Sequence, residues 1–163
     1  MRNAILWITT LIVFMVVNVQ IVQKEFLLKQ GITMLLRLAP VDPRALIQGD
    51  YMALRYALPD FVQKASLPRD GQVVVRLDEH QVATILRVHA PGRPLIEGEY
   101  LLRYRWRAGS VQLGSKAFFF QEGHADYYVN ACYGELRVSG SGESILVGLR
   151  NNDLQPLGPL QEK

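Results

Sequence analysis

The sequence predicts a mostly-β fold: an antiparallel sheet or partly closed barrel built of hairpins, with one short helix, behind a single N-terminal transmembrane helix. Three observations carry that expectation. Residues 4–22 contain no charged side chain, and at about 1.5 Å per residue such a run nearly matches a hydrocarbon core of roughly 30 Å. From residue 32 onward, short runs rich in Val, Ile, Leu and Tyr alternate with Gly, Pro, Asp and Asn clusters, which is the punctuation of strands and turns. Tyr100, Leu102, Tyr104 and Trp106 alternate with Leu101, Arg103, Arg105 and Arg107, giving the period of two that puts successive side chains on opposite sheet faces.

The chain has 163 residues, enough for one domain with an appendage and a real core. Its net charge of +3 is too small for a nucleic-acid footprint. Cys132 is the only cysteine, which excludes an intramolecular disulfide and any CxxC framework. The boundaries read as a cytoplasmic tail 1–3, a transmembrane helix 4–22, a juxtamembrane helix end 23–31, an extracytoplasmic β domain 32–150 and a flexible tail 151–163.

The apolar run ends in Asn18-Val19-Gln20-Ile21-Val22-Gln23, without the small residues of a signal-peptide cleavage site, so it reads as an uncleaved signal-anchor. Asn18 and Gln20 either reach headgroups or pair with a partner helix. Charge alone leaves orientation nearly tied, with Arg2 and the amino terminus on one side and Lys24 and Lys29 on the other. The helix is expected to continue to Gln30 and to end on Gly31 as a left-handed residue.

Residues 32–38 have the content of a first strand, which Pro40 stops. Asp42 then serves as an N-cap and Pro43 as a first-turn proline, Arg44 to Gln48 make one helical turn, and Gly49 closes it with positive φ. Tyr51 to Leu58 return as a second strand, with Met52, Leu54, Tyr56 and Leu58 on its apolar face. Residues 72–77 and 82–88 form a hairpin about Asp78-Glu79-His80-Gln81. A second pairs Tyr100 to Arg107 with Val111 to Phe120 about Ala108-Gly109, and places Ala117 and Phe119 on the face of Leu102 and Tyr104. Ala125, Tyr128 and Ala131-Cys132 suit one side of a short helix followed by Gly134. The last hairpin joins 136–138 to 144–149, and Pro156, Gly158 and Pro159 argue against regular structure beyond it.

Gly49-Asp50-Tyr51, with Leu54 and Tyr56 at fixed spacings, resembles the GDYXXLXY family of uncharacterised, membrane-anchored bacterial proteins. Pro40-Val41-Asp42-Pro43-Arg44, Tyr133-Gly134-Glu135-Leu136-Arg137-Val138 and Leu146-Val147-Gly148-Leu149-Arg150 extend the resemblance over nearly the whole chain. It implies a periplasmic domain on a Gram-negative-type inner membrane, associated with larger multi-pass membrane proteins, with no established activity. A looser likeness links Leu46-Ile47-Gln48-Gly49-Asp50 to the nucleophile segment of type I signal peptidases. There a Ser-Met pair stands eight and seven residues before the glycine, where this chain has Val41 and Asp42. No lysine occurs between Lys64 and Lys116 to act as the amine base of a Ser-Lys mechanism.

Candidate site residues follow from side-chain chemistry. Asp50 is either a general base or metal ligand, or an acceptor for turn amides. Arg44, Tyr51 and Arg55 lie near the same turn and suit an anionic group, although an Asp42 or Asp50 ion pair accounts for Arg44 as well. Arg103, Arg105 and Arg107 present three charges on one strand face to a lipid headgroup, a glycan or an acidic partner, or form a solvated face paired to neighbouring acids. Asp42, Pro43, Gly49, Leu54 and Tyr56 are assigned structural roles. Glu122, His124 and Asp126 would align as metal ligands on a strand but spread around a helix. His80 and His89 lack an obvious partner, and Cys132 suits a small buried site. There is no Ser-His-Asp order, P-loop or GxGxxG, and no metal or cofactor is assigned. The leading expectation is an interaction or accessory domain working with a multi-pass inner-membrane protein. An envelope hydrolase or peptidase-like enzyme centred on Asp50, and an anionic-ligand-binding module, are the alternatives.

Overall fold

The computed structural model of the chain describes residues 2–39, 47–48, 51–63, 67–107 and 109–159, with the side chains of 2–5 and 47–48 excepted. Helix α1 (Arg2–Gln30) is long and apolar enough to cross a membrane. Its large side chains from Leu6 to Val22 are exposed, whereas Leu27 is buried against the domain. The Asn18 amide donates to the Phe14 carbonyl at 2.8 Å, so it is satisfied one turn back on its own helix. Gly31 ends α1, but without the left-handed backbone expected of it. The requirement is space: a Cβ there would lie 2.4 Å from the Leu27 carbonyl oxygen and 3.2 Å from the Arg137 Cβ.

The domain is mostly β and antiparallel. β1 (Ile32–Arg37), β9 (Tyr133–Val138) and β10 (Ser144–Arg150) form one sheet with β9 central. β4 (Asp70–Leu77), β5 (Ala83–Val88), β6 (Glu99–Arg107) and β7 (Ser110–Leu113) form a second in the order β5-β4-β6-β7. β2 (Ile47–Gln48), β3 (Tyr51–Ala53) and β8 (Ala117–Phe119) form the third, with β3 central. Isolated bridges Leu35↔Val82 and Leu38↔Tyr56 tie β1 to the other two. The result is a curled half-barrel, in keeping with the expected hairpin-built, partly closed sheet.

Alternation fills the interior. Met34, Leu36, Leu136 and Val138 from the first sheet meet Val73, Val75, Leu102, Tyr104 and Leu113 from the second, with Val62 of the one-turn helix α2 (Asp60–Gln63) added. A second cluster gathers Leu38, Met52, Leu54, Tyr128 and Leu149. Tyr56 and Leu146 pack against both clusters. At the β4–β5 turn Asp78 Oδ1 accepts from the amides of His80 and Val82, at 2.9 and 2.8 Å, which is the Asx chemistry that makes the turn tight.

Several local expectations change. Ile47 and Gln48 are extended and pair with Met52 and Tyr51, so that part of the segment is not the end of a helical turn. The second arm of the Tyr100 hairpin divides. Val111 and Leu113 pair with Trp106 and Tyr104, but after Gly114-Ser115-Lys116 the chain leaves for β3, and Phe119 is 75% exposed instead of sharing the Tyr104 face. The short helix is a 3₁₀ turn, Ala125–Tyr128, and Gly134 lies within β9. Beyond β10 the chain turns back: the Leu157 amide donates to the Leu149 carbonyl at 2.9 Å, and Leu157 packs on the second cluster.

Candidate functional site

The segment from Tyr51 to Leu58 is where β1 and β8 are held together. The Leu54 amide donates to the Lys116 carbonyl at 2.7 Å, the Ala39 amide to the Arg55 carbonyl at 2.8 Å, and the Ala57 amide to the Arg37 carbonyl at 2.9 Å. Met52 and Leu54 point into the second cluster, while Arg55 is exposed. Tyr51 packs its ring on Phe119 at 5.8 Å. The Tyr56 ring lies over Gly134, where a Cβ would approach its Cε1 to 3.2 Å. Its enclosed hydroxyl is near the Ser115 main chain but makes no bond of hydrogen-bond geometry among the described residues. Burial pushes the Tyr56 phenol well above its ordinary range, offset only in part by that main chain. A cleft of about 680 Å³, lined by Leu54, Arg55, Tyr56, Trp106 and Lys116 among others, opens beside it.

A second, smaller pocket of about 350 Å³ is basic. Arg103, Arg105 and Arg107 line it from the outward face of β6, and Lys116, Lys24, Glu143, Gln112 and Ser144 complete its polar wall. Strand geometry spaces the Cα atoms of the three arginines by roughly 6–7 Å along one face. On the same face Arg105 lies between its pairing partners Asp70 of β4 and Gln112 of β7.

The far wall is brought in by the β9–β10 turn, which covers the part of β6 that β7 leaves open. There the Arg103 amide donates to the Gly142 carbonyl at 2.8 Å, and the Gln72 side-chain amide donates to the Ser141 carbonyl at 2.9 Å. Glu143 then accepts from the Lys24 ammonium at 2.5 Å, joining the end of α1 to the pocket. The Lys24 hydrogen bond holds the Glu143 carboxyl below the usual carboxylate range. Partial burial opposes the shift, and the charges of Lys24, Arg103 and Arg105 reinforce it.

Five cations thus line a pocket that holds one carboxylate, Glu143. Arg105 is 4.0 Å from Asp70, with both side chains mostly exposed, which contributes little. Among the described residues Arg103, Arg107 and Lys116 have no ion pair. Guanidinium forks and ammonium groups converging without enough acids suit a phosphate or carboxylate.

The expected site residues therefore separate. Asp42, Pro43, Arg44, Gly49 and Asp50 lie outside the described residues. Tyr51 faces Phe119 and Arg55 lines the larger cleft, while the three arginines line the basic pocket. Sequence reasoning missed Lys24, Lys116 and Glu143 as companions of the arginines. Lys24 could have been flagged as the first charge after the apolar run, but Glu143 lies 119 residues away from it, and no local pattern signals that pairing. The His124 ring is edge-on to Tyr127 at 5.4 Å, and no three His, Cys, Asp or Glu side chains gather as metal ligands among the described residues.

The segments that accompany the motif have visible structural work. Glu135 accepts from the Arg150 guanidinium at 2.8 Å across β9 and β10, and Arg150 also donates to the Leu154 carbonyl at 2.7 Å. Arg137 donates to the Gly31 carbonyl at 3.3 Å where α1 meets β1. Arg37 lies 5.9 Å from the Tyr133 ring centroid, within cation–π range. Fold and site together define a mostly-β domain carried behind one long apolar helix, with a basic pocket at their junction. The chain belongs to the GDYXXLXY protein family, whose model matches residues 13–149, from inside α1 almost to the end of β10. No curated protein and no solved structure matches it.

Proposed function

We propose that the chain is a membrane-anchored, extracytoplasmic interaction or accessory domain that works with a multi-pass protein of the bacterial inner membrane. The observation that supports this reading is the junction of α1 with the domain. A single residue, Gly31, separates α1 from β1, Leu27 is buried, and Lys24 is bonded to Glu143. The domain therefore follows the helix closely, while the apolar surface of α1 from Leu6 to Val22 is left for lipid or other helices. Family membership adds weight, because the family resemblance implies a periplasmic domain beside larger membrane proteins.

Photo-crosslinking residues at Trp7 and Phe14, both exposed on α1, test the reading in intact membranes. One dominant adduct with a multi-pass membrane protein is expected, and adducts only with lipid or with a second copy of the chain would sink the accessory role. A reporter active only outside the cytoplasm, fused after Lys163, should be active; a silent but membrane-inserted fusion would reverse the orientation.

A further inference from the structure

We infer that the basic pocket between β6, the β9–β10 turn and the end of α1 holds the phosphate of an anionic lipid headgroup, in the leaflet from which α1 emerges into the domain. The inference rests on the proposed membrane insertion of α1 and is independent of the accessory role. Depth decides the kind of ligand. Lys24 is the first charged residue after the uncharged run 4–22, two positions or about 3 Å of helix beyond Val22. A lysine there sits where hydrocarbon gives way to headgroups. Because Lys24 lines the pocket itself, the pocket opens at the level where lipid phosphates lie.

Charge and size agree with depth. Arg103, Arg107 and Lys116 form no ion pair among the described residues, and Glu143, whose charge Arg103 faces at longer range, is already engaged by Lys24. The cavity of about 350 Å³ suits a phosphate with its glycerol, whereas an acidic protein surface would need a broader and flatter face. The Lys24 contact also positions the turn: Glu143 and Gly142 hold the hairpin against both α1 and β6. A bound headgroup would thus bridge helix and sheet, so occupancy should stiffen the domain's seat on the membrane.

The test uses the purified full-length chain in bilayer discs of phosphatidylcholine alone, or of phosphatidylcholine with phosphatidylglycerol. Phosphatidylglycerol should raise the unfolding temperature and be retained preferentially in native mass spectrometry. Arg105→Gln should lower that preference by about fivefold, from the usual contribution of one basic residue near an anionic leaflet. Lys116→Gln, at an exposed position, provides a second pocket variant if Arg105→Gln does not fold. Arg93→Gln, exposed in a loop away from the pocket, should leave the preference intact.

Three results would overturn the inference. An equal rise from inorganic phosphate added to phosphatidylcholine discs would make this a free-anion site. An equal loss in Arg93→Gln would make the effect general surface charge. No lipid preference in a chain that resists carbonate extraction would leave the anchor standing and remove the pocket's role. Extraction by carbonate would instead remove the anchored reading on which the inference rests.

Discussion

At the scale of single residues, the family motif is explained best at its last position. Tyr56 packs against both hydrophobic clusters, its ring lies on Gly134, and its enclosed hydroxyl, near the Ser115 main chain, makes no bond of hydrogen-bond geometry among the described residues. The ring is therefore the useful part and the hydroxyl a burden, since a buried unpaired hydroxyl costs roughly 1–3 kcal/mol. Tyr56→Phe should leave stability unchanged or raise it by about 1 kcal/mol, whereas Tyr56→Ala should lose roughly 3–5 kcal/mol by opening a cavity at the seam. Gly134→Ala presses a methyl toward the ring at 3.2 Å and should cost roughly 1–3 kcal/mol as overpacking. Thermal unfolding of the three variants checks the set; a large loss in Tyr56→Phe would mean that the hydroxyl has a bonded partner. The pairing also gives a reason for two distant motifs to occur together: the tyrosine of one needs the glycine of the other. Residue alternation was legible here, because Met52, Leu54 and Tyr56 differ in chemistry from Arg55 and Ala57. The identity of the surface beneath Tyr56 was not, because it lies on β9, far along the chain.

At the scale of elements, hairpins closed by their own turns could be read from the sequence, and changes of sheet could not. Asp78 closes the β4–β5 turn with its own carboxylate, so composition and structure agree there. After β7 the strand character of the sequence continues into Ala117-Phe118-Phe119, yet the chain changes sheet at Gly114-Ser115-Lys116. The Leu54 amide pairing with the Lys116 carbonyl and the β3 register with Ala117 to Phe119 decide that change, and both are long-range. The end of α1 has the same lesson. A glycine after a helix reads as a left-handed cap, but Gly31 is required by the close approach of Leu27 and Arg137. Gly31→Ala would drive a methyl against the Leu27 carbonyl, a backbone group that cannot rotate away. It should destabilise the junction by roughly 1–3 kcal/mol, loosening protease protection of the α1–β1 connection before the β core unfolds. A variant with unchanged protection there would show that the junction has more room than these distances allow.

At the scale of the whole molecule, the response to pH should be divided between the core and its seat on α1. Burial raises the phenol pKa of Tyr56, Tyr104 and Tyr128; the charge of Asp70 adds to the effect at Tyr104. Tyr104 belongs to the first cluster, Tyr128 to the second, and Tyr56 touches both. A raised folded-state pKa means that the unfolded chain gives up these protons first, near the ordinary value of 10.0. Stability from all three is thus complete below about pH 10 and falls as pH rises from there toward the folded values. The acidic side has the opposite sign and a different location. The depressed pKa of Glu143 contributes stability above the ordinary carboxylate range, which is lost as pH falls through the folded value. That contribution lies in the Lys24 contact, where both side chains are half exposed, so it is small and confined to the α1 junction. Alkaline titration followed by circular dichroism and tyrosinate absorbance should therefore show one cooperative loss of the β core above about pH 10. Tyr56→Phe should move that midpoint upward, because it removes one group whose ionisation drives the unfolding. Acid below the ordinary carboxylate range should instead loosen α1 from the β9–β10 turn while the β signal stays constant. Tyrosines ionising near the ordinary value with the β signal intact would show that the two clusters do not enclose these phenols.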